Sequence, residues 1–87
     1  MEDVRSRYFL RVEVEDRIGM LAELTDVFAR HKVSVEQIIQ KKRTGNSAEI
    51  VVITEEVRDG DFRKAVQCIA DKSGTREIKS TIRVYTE

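Results

Sequence analysis

The apolar residues of this sequence switch between two spacings, and the order of the switches fixes what the chain can fold into. From Tyr8 to Val14 apolar and polar positions alternate: Tyr8, Leu10, Val12 and Val14 fall on one side, Phe9, Arg11 and Glu13 on the other. A period of two is a β-strand. Leu21, Leu24, Val27, Phe28 and His31 then recur at the spacing of one helix face. Val33, Val35 and Ile39 return to strand phase, with Ile38 out of phase. The run from Ala48 to Thr54 is apolar on both sides, which predicts a central strand. Phe62, Ala65, Val66, Ile69 and Ala70 form a second helical face, and Ile78, Ile82 and Val84 one face of a last strand. At 87 residues there is room for one small domain.

Proline is absent, so glycine marks the connections. Glu15 to Gly19 reads as a loop. Thr44-Gly45-Asn46-Ser47 is turn chemistry and predicts a hairpin. Asp59-Gly60-Asp61 opens the second helix, where a short acidic side chain can accept from the free amides of the first turn. Gly74 stands where a helix commonly ends in a left-handed residue. Residues 1–6 read as a lead-in or linker, and residues 7–87 as the domain. The order strand, helix, strand, strand, helix, strand, with right-handed crossovers, gives an α+β ferredoxin-like βαββαβ sandwich. It has a four-stranded antiparallel sheet with both helices on one face. Phe9, Val51 and Ile53, with Ile38 and Tyr85, should project from the helix-free face. A contiguous apolar patch usually marks a contact, so another subunit or domain is expected over that face or the adjoining edge strand. A domain of this size leaves much apolar surface unburied, which also favours association.

Several function classes drop out. Sixteen Lys and Arg balance 16 Asp and Glu, so there is no cation surplus to displace counterions from a nucleic acid. Ile50 to Thr54 also lacks the stacking aromatics of an RNA-binding sheet of this topology. The single Cys68 allows no internal disulfide and no multi-Cys metal site, and its apolar setting reads as a buried, inert thiol. No apolar run reaches the roughly 18–20 residues of a membrane span, and no signal peptide opens the chain, so no membrane is expected and the cytoplasm is the simplest location. The only histidine, His31, falls at the end of the first helix, as a boundary residue or a partner of the helix dipole. Without a second His or a Cys pair a zinc site is not expected. There is no nucleophile with a base, no phosphate loop and no dinucleotide glycine fingerprint. No catalytic residue, metal or cofactor is assigned to this chain, and alone it is not expected to be an enzyme.

One loop carries ligand chemistry. In Asp16-Arg17-Ile18-Gly19-Met20-Leu21 the glycine lets a ligand approach the backbone, and the next helix starts with amides lacking an intrahelical acceptor. Those amides and the helix dipole favour a carboxylate. Asp16 beside them can accept from an ammonium group, and a free amino acid offers both groups. Local sequence equally permits a plain turn in which Asp16 caps the helix.

The chain resembles the ACT domain family of small-molecule regulatory modules. The resemblance covers residues 7–85 and rests on the βαββαβ order, on Asp16 to Leu21, and on His31-Lys32-Val33-Ser34-Val35. Tyr8-Phe9-Leu10-Arg11, Ser34 to Lys41, Ile50 to Thr54 and Ile82-Arg83-Val84 are similar to the C-terminal ACT domain of homoserine dehydrogenases. ACT domains of guanosine tetraphosphate synthetases and hydrolases, and of aspartate kinases, are related alternatives. The resemblance implies a homodimer or higher homo-oligomer in which second strands lie side by side, and an amino-acid effector at the interface. One wall would be Asp16, Arg17, Ile18, Gly19, Met20 and Leu21; the partner's wall would include Ser34 and Gln37. It also implies a parent enzyme whose catalytic domain reduces aspartate semialdehyde with NAD(P)H and is often inhibited by threonine. A dimerisation module without ligand is the alternative role. The family usually has Pro where Ile18 stands, and often Gly where Lys32 stands, so the first helix is expected to end differently here.

Overall fold

A computed structural model describes residues 5–42 and 45–84. The elements are β1 (Arg5–Glu15), α1 (Met20–Arg30), β2 (Val35–Lys42), β3 (Ser47–Thr54), β4 (Val57–Arg58), α2 (Asp59–Ala70) and β5 (Thr75–Val84). β1 pairs antiparallel with β3 on one side and with β5 on the other, and β2 pairs antiparallel with β3. The main order is therefore β2-β3-β1-β5, the ferredoxin-like plan read from the sequence. Among the described residues the outer edges of β2 and β5 carry no further strand. Tyr85 and Thr44 lie outside the described residues.

Strict alternation puts Tyr8, Leu10, Val12 and Val14 of β1 in the core with Ala48, Ile50 and Val52 of β3. Both helices cover this face, α1 through Met20, Leu24, Val27 and Phe28, and α2 through Phe62, Ala65 and Ile69. Removing side chains such as Leu10, Leu24 and Phe28 from water contributes about 1.5–3 kcal/mol each. The Tyr8 and Phe62 rings stack at 3.9 Å between centroids. Thr54, fully buried, accepts the Tyr8 amide on Oγ1 at 2.9 Å, which satisfies a polar group inside the core.

The structure departs from the periodicity at identifiable points. α1 is rotated so that Met20 is buried and Leu21 is exposed, and in α2 Ala70 is exposed. In β2 the ladder steps from Val35↔Thr54 to Gln37↔Ile53, leaving Glu36 as the extra residue of a bulge. One extra residue inverts every later side chain. Ile38 consequently packs on the core and Ile39 projects from the helix-free face, the reverse of the alternation read across Val33, Val35 and Ile39. A shift in β5 between Ser80 and Ile78 does the same. Ile78 packs on the core while Ile82 and Val84, opposite Phe9 and Arg7, face outward with Val51 and Ile53. The three do not share a face.

Three connections also differ. β4, a two-residue strand, pairs with Arg5 and Ser6, extending the sheet beyond four strands and drawing β1 back into the expected lead-in; Ser6 is buried. Asp59 does not cap α2. The helix starts at Asp59 after Arg58 with no side-chain cap, and the Asp59 carboxylate instead accepts from Tyr8, Arg83 (2.7 Å) and Arg63 (2.8 Å). Gly74 does not adopt a left-handed backbone; it is buried, and a Cβ there would lie 2.6 Å from Met20 Sδ. Its smallness serves packing between the α2–β5 turn and the start of α1.

The end of α1 is the opposite case. Lys32 is left-handed, with φ of 61°. Its N–H donates to Ala29 O at 3.2 Å and the Val33 N–H to Phe28 O at 2.8 Å, which is the Schellman arrangement, with Val33 and Phe28 both buried in the core. Lysine therefore occupies the glycine conformation, and the helix ends without the expected change. His31 supports the same end: its Nδ1 lies 2.9 Å from Val27 O.

Candidate functional site

The loop between β1 and α1 is held from both sides by its backbone. The Glu15 N–H donates to Gly74 O at 2.8 Å and the Asp16 N–H to Asn46 O at 2.8 Å. The loop is thus tied to the α2–β5 turn and to the β2–β3 hairpin. Gly19, at φ 90°, turns the chain into α1 and stands as its N-cap with no side-chain hydrogen bond. The Met20 N–H reaches Arg17 O at 3.3 Å and the Glu23 N–H reaches Gly19 O at 2.9 Å. Among the described residues, the amides of Ile18, Gly19, Leu21 and Ala22 have no backbone acceptor. These are the free donors that a helix start leaves over.

Side chains leave that turn open. Ile18 is fully solvent-exposed, at 101%. Arg17 lies back along the surface, bonded to Glu23 at 3.0 Å and within 3.3 Å of Glu15, so its charge is already shared. Asp16 is half-buried. Asp16, Arg17, Ile18, Gly19, Leu21 and Gln40 line an open hollow of about 390 Å³. Met20 does not line it, because its side chain is in the core.

Gln40 enters from β2, and local sequence reasoning missed it because its approach depends on sheet topology. β2 runs parallel to β1, so its C-terminal end reaches the loop. Ser34 and Gln37 stand toward the other end: Val35 pairs with Thr54, which bonds Tyr8. Within one chain the structure does not bring Ser34 and Gln37 to the loop; at about 3.3 Å per residue, Ser34 is some 20 Å of strand from Gln40. Both are exposed. Among the described residues no group of three or more His, Cys, Asp or Glu side chains could hold a metal ion, and no helix is long and apolar enough to cross a membrane. Cys68 is half-buried against the core.

Residues 8–74 match the ACT domain. The chain belongs to the ACT domain family. This ACT domain is 39% identical over 86 residues to a homoserine dehydrogenase of Synechocystis, covering 99% of this chain and 20% of that protein. It is 37% identical over 84 residues to a homoserine dehydrogenase of Bacillus subtilis, covering 94% and 19%. A solved homoserine dehydrogenase from Thiobacillus denitrificans superposes with a TM-score of 0.83 at 26% identity, over 94% of this chain and 18% of that one. The chain thus spans about a fifth of the length of the curated relatives it matches. It is a regulatory ACT domain resembling the C-terminal part of homoserine dehydrogenase.

Proposed function

We propose that this ACT domain binds a free amino acid and transmits its presence to a homoserine dehydrogenase of which it is the C-terminal regulatory part. The observation that carries the reading is the row of amides at Ile18, Gly19, Leu21 and Ala22 with no backbone acceptor among the described residues, in an open hollow beside the half-buried Asp16. The amides suit an α-carboxylate and Asp16 suits an α-ammonium. Threonine is the effector we favour, on the strength of the family resemblance. The identities to homoserine dehydrogenases favour that parent over a guanosine tetraphosphate synthetase or an aspartate kinase. In this reading reduction with a nicotinamide nucleotide belongs to the catalytic domain, and Asp16 to Leu21 do not take part in it.

The outer edge of β2, which carries no further strand among the described residues, supports pairing with a second copy. Two β2 strands set side by side around a two-fold axis run antiparallel, so the Ser34 end of one meets the Gln40 end of the other. Ser34 and Gln37 of the partner then close the hollow over Asp16 to Leu21. A site completed by two chains exists in one relative orientation only, and that preference is what couples effector to enzyme. Coupling of about 1–3 kcal/mol changes affinity several-fold to about a hundredfold. Two or three charge-assisted hydrogen bonds, less the ordering cost, correspond to micromolar-to-millimolar affinity.

Calorimetric titration with threonine, other aspartate-family amino acids, serine and the branched-chain amino acids tests the reading. One saturable isotherm with a stoichiometry of one per chain or one per pair supports it. Flat titrations on folded protein reject it, and concentration-dependent dimerisation in that case leaves a dimerisation module.

A further inference from the structure

At the other end of the molecule, between the C-terminus of α1, β4 and the first turns of α2, lies a second hollow of about 390 Å³. Its walls carry Arg5, Arg30, Lys32, Arg58 and Lys64 against two carboxylates, Glu56 and Asp61. The whole chain is neutral, with 16 cationic and 16 anionic side chains, so this concentration of positive charge is local. Some of it is already engaged: Arg30 pairs with Asp26 at 2.9 Å, and Arg58 and Glu56 each have a partner as well. Among the described residues Arg5, Lys32 and Lys64 have no ion pair. They come from three elements that meet only in the fold, β1, the α1–β2 turn and α2. Like charges brought together in one concavity raise its potential and lower the stability of the empty domain.

The Lys32 backbone adds to this. A lysine at φ 61° is held in a conformation that disfavours side chains with a Cβ, yet it fixes an ammonium-bearing residue on the rim of the hollow. α1 also points its partially negative C-terminus here, which Arg30 and Lys32 offset.

We propose that this hollow is a binding site for a small polyvalent anion carrying phosphoryl groups. A pocket of this volume sits at the small end of ligand sites, about 300–1,000 Å³, which fits a compact anion better than a protein segment lying across a flat surface. Arg5, Lys32 and Lys64 surround it with cations that have no ion pair among the described residues, and the Arg5 guanidinium is a fork suited to phosphoryl oxygens. The site is independent of the hollow at Asp16 to Leu21. It gives the domain a second input, at the end where β1 begins.

Thermal denaturation and calorimetry of the full chain with inorganic pyrophosphate, inorganic phosphate and a hexaglutamate peptide, against sodium chloride of matched ionic strength, test the proposal. Pyrophosphate should bind saturably and tighter than phosphate, and should raise the melting temperature where chloride does not. Arg5→Gln and Lys64→Gln, both at exposed side chains, should each weaken pyrophosphate about three- to tenfold while leaving the unliganded melting temperature at or above the parent value. Equal shifts with pyrophosphate and matched chloride overturn the proposal, as does pyrophosphate affinity unchanged in both variants. Tighter binding of hexaglutamate than of pyrophosphate also overturns it, and assigns the hollow to an acidic protein segment.

Discussion

Replacing Lys32 by glycine should make this domain more stable. Lys32 is left-handed at φ 61°, and its N–H and that of Val33 close the Schellman bonds to Ala29 and Phe28. Those bonds hold Val33 and Phe28 together in the core and aim the chain into β2, so the backbone cannot relax away from the strained angle without losing them. A residue with a Cβ in this conformation costs about 1–2 kcal/mol. Glycine removes that cost but returns about 0.5–1 kcal/mol through the greater freedom of the unfolded chain. The net gain for Lys32→Gly is then roughly 1 kcal/mol, which in a domain of this size moves the melting temperature up by about 4–8 °C. Urea denaturation at unchanged m-value is the assay, with a ranked series as the control. Glycine should exceed asparagine, asparagine should exceed lysine, and valine, branched at Cβ, should be the least stable. A glycine variant less stable than the parent, or a valine variant equal to it, would refute the reasoning.

The same structure leads to other expected outcomes. The hydrogen bond from Arg83 is the largest cause holding the Asp59 carboxyl below the ordinary aspartate range; partial burial opposes it, and the charges of Arg83 and Arg63 add to it. A depressed folded-state pKa stabilises above the unfolded value and is lost as pH falls through the folded one. Asp59→Asn should therefore cost about 1 kcal/mol at pH 7, and its difference from the parent should shrink in an acid titration as pH falls through the lowered folded-state value of the carboxyl. Phe28→Ala should cost about 3–5 kcal/mol, enough to leave a marginal domain largely unfolded by circular dichroism. Gly74→Ala, which sets a Cβ against Met20 Sδ and Arg17 Nη2, should weaken threonine binding in the calorimeter by displacing the start of α1.

What the sequence made legible divides along a physical line. β1 and β3 could be read because their ladder runs without a bulge and every second residue keeps its face. β2 and β5 were misread after Glu36 and Lys79, because a bulge has no composition of its own and inverts every side chain beyond it. Asp59 looked like a cap because capping is local; two of its three partners, Tyr8 and Arg83, are far away in the chain. Gly74 looked like a helix stop because glycine's two uses, positive φ and small size, are indistinguishable in sequence. The Asp16 to Leu21 loop was legible because a glycine before an amphipathic helix is a local signal. Gln40 was not, because only the parallel run of β1 and β2 brings it there.

The most direct test of the effector site is to watch its donors. In a two-dimensional amide NMR spectrum of the chain titrated with L-threonine, the Ile18, Gly19, Leu21 and Ala22 resonances should shift most and saturate together. In the partner-completed site, Ser34 and Gln37 should move with them. No shifts up to tens of millimolar ligand, or shifts confined to residues remote from this turn, would contradict the account.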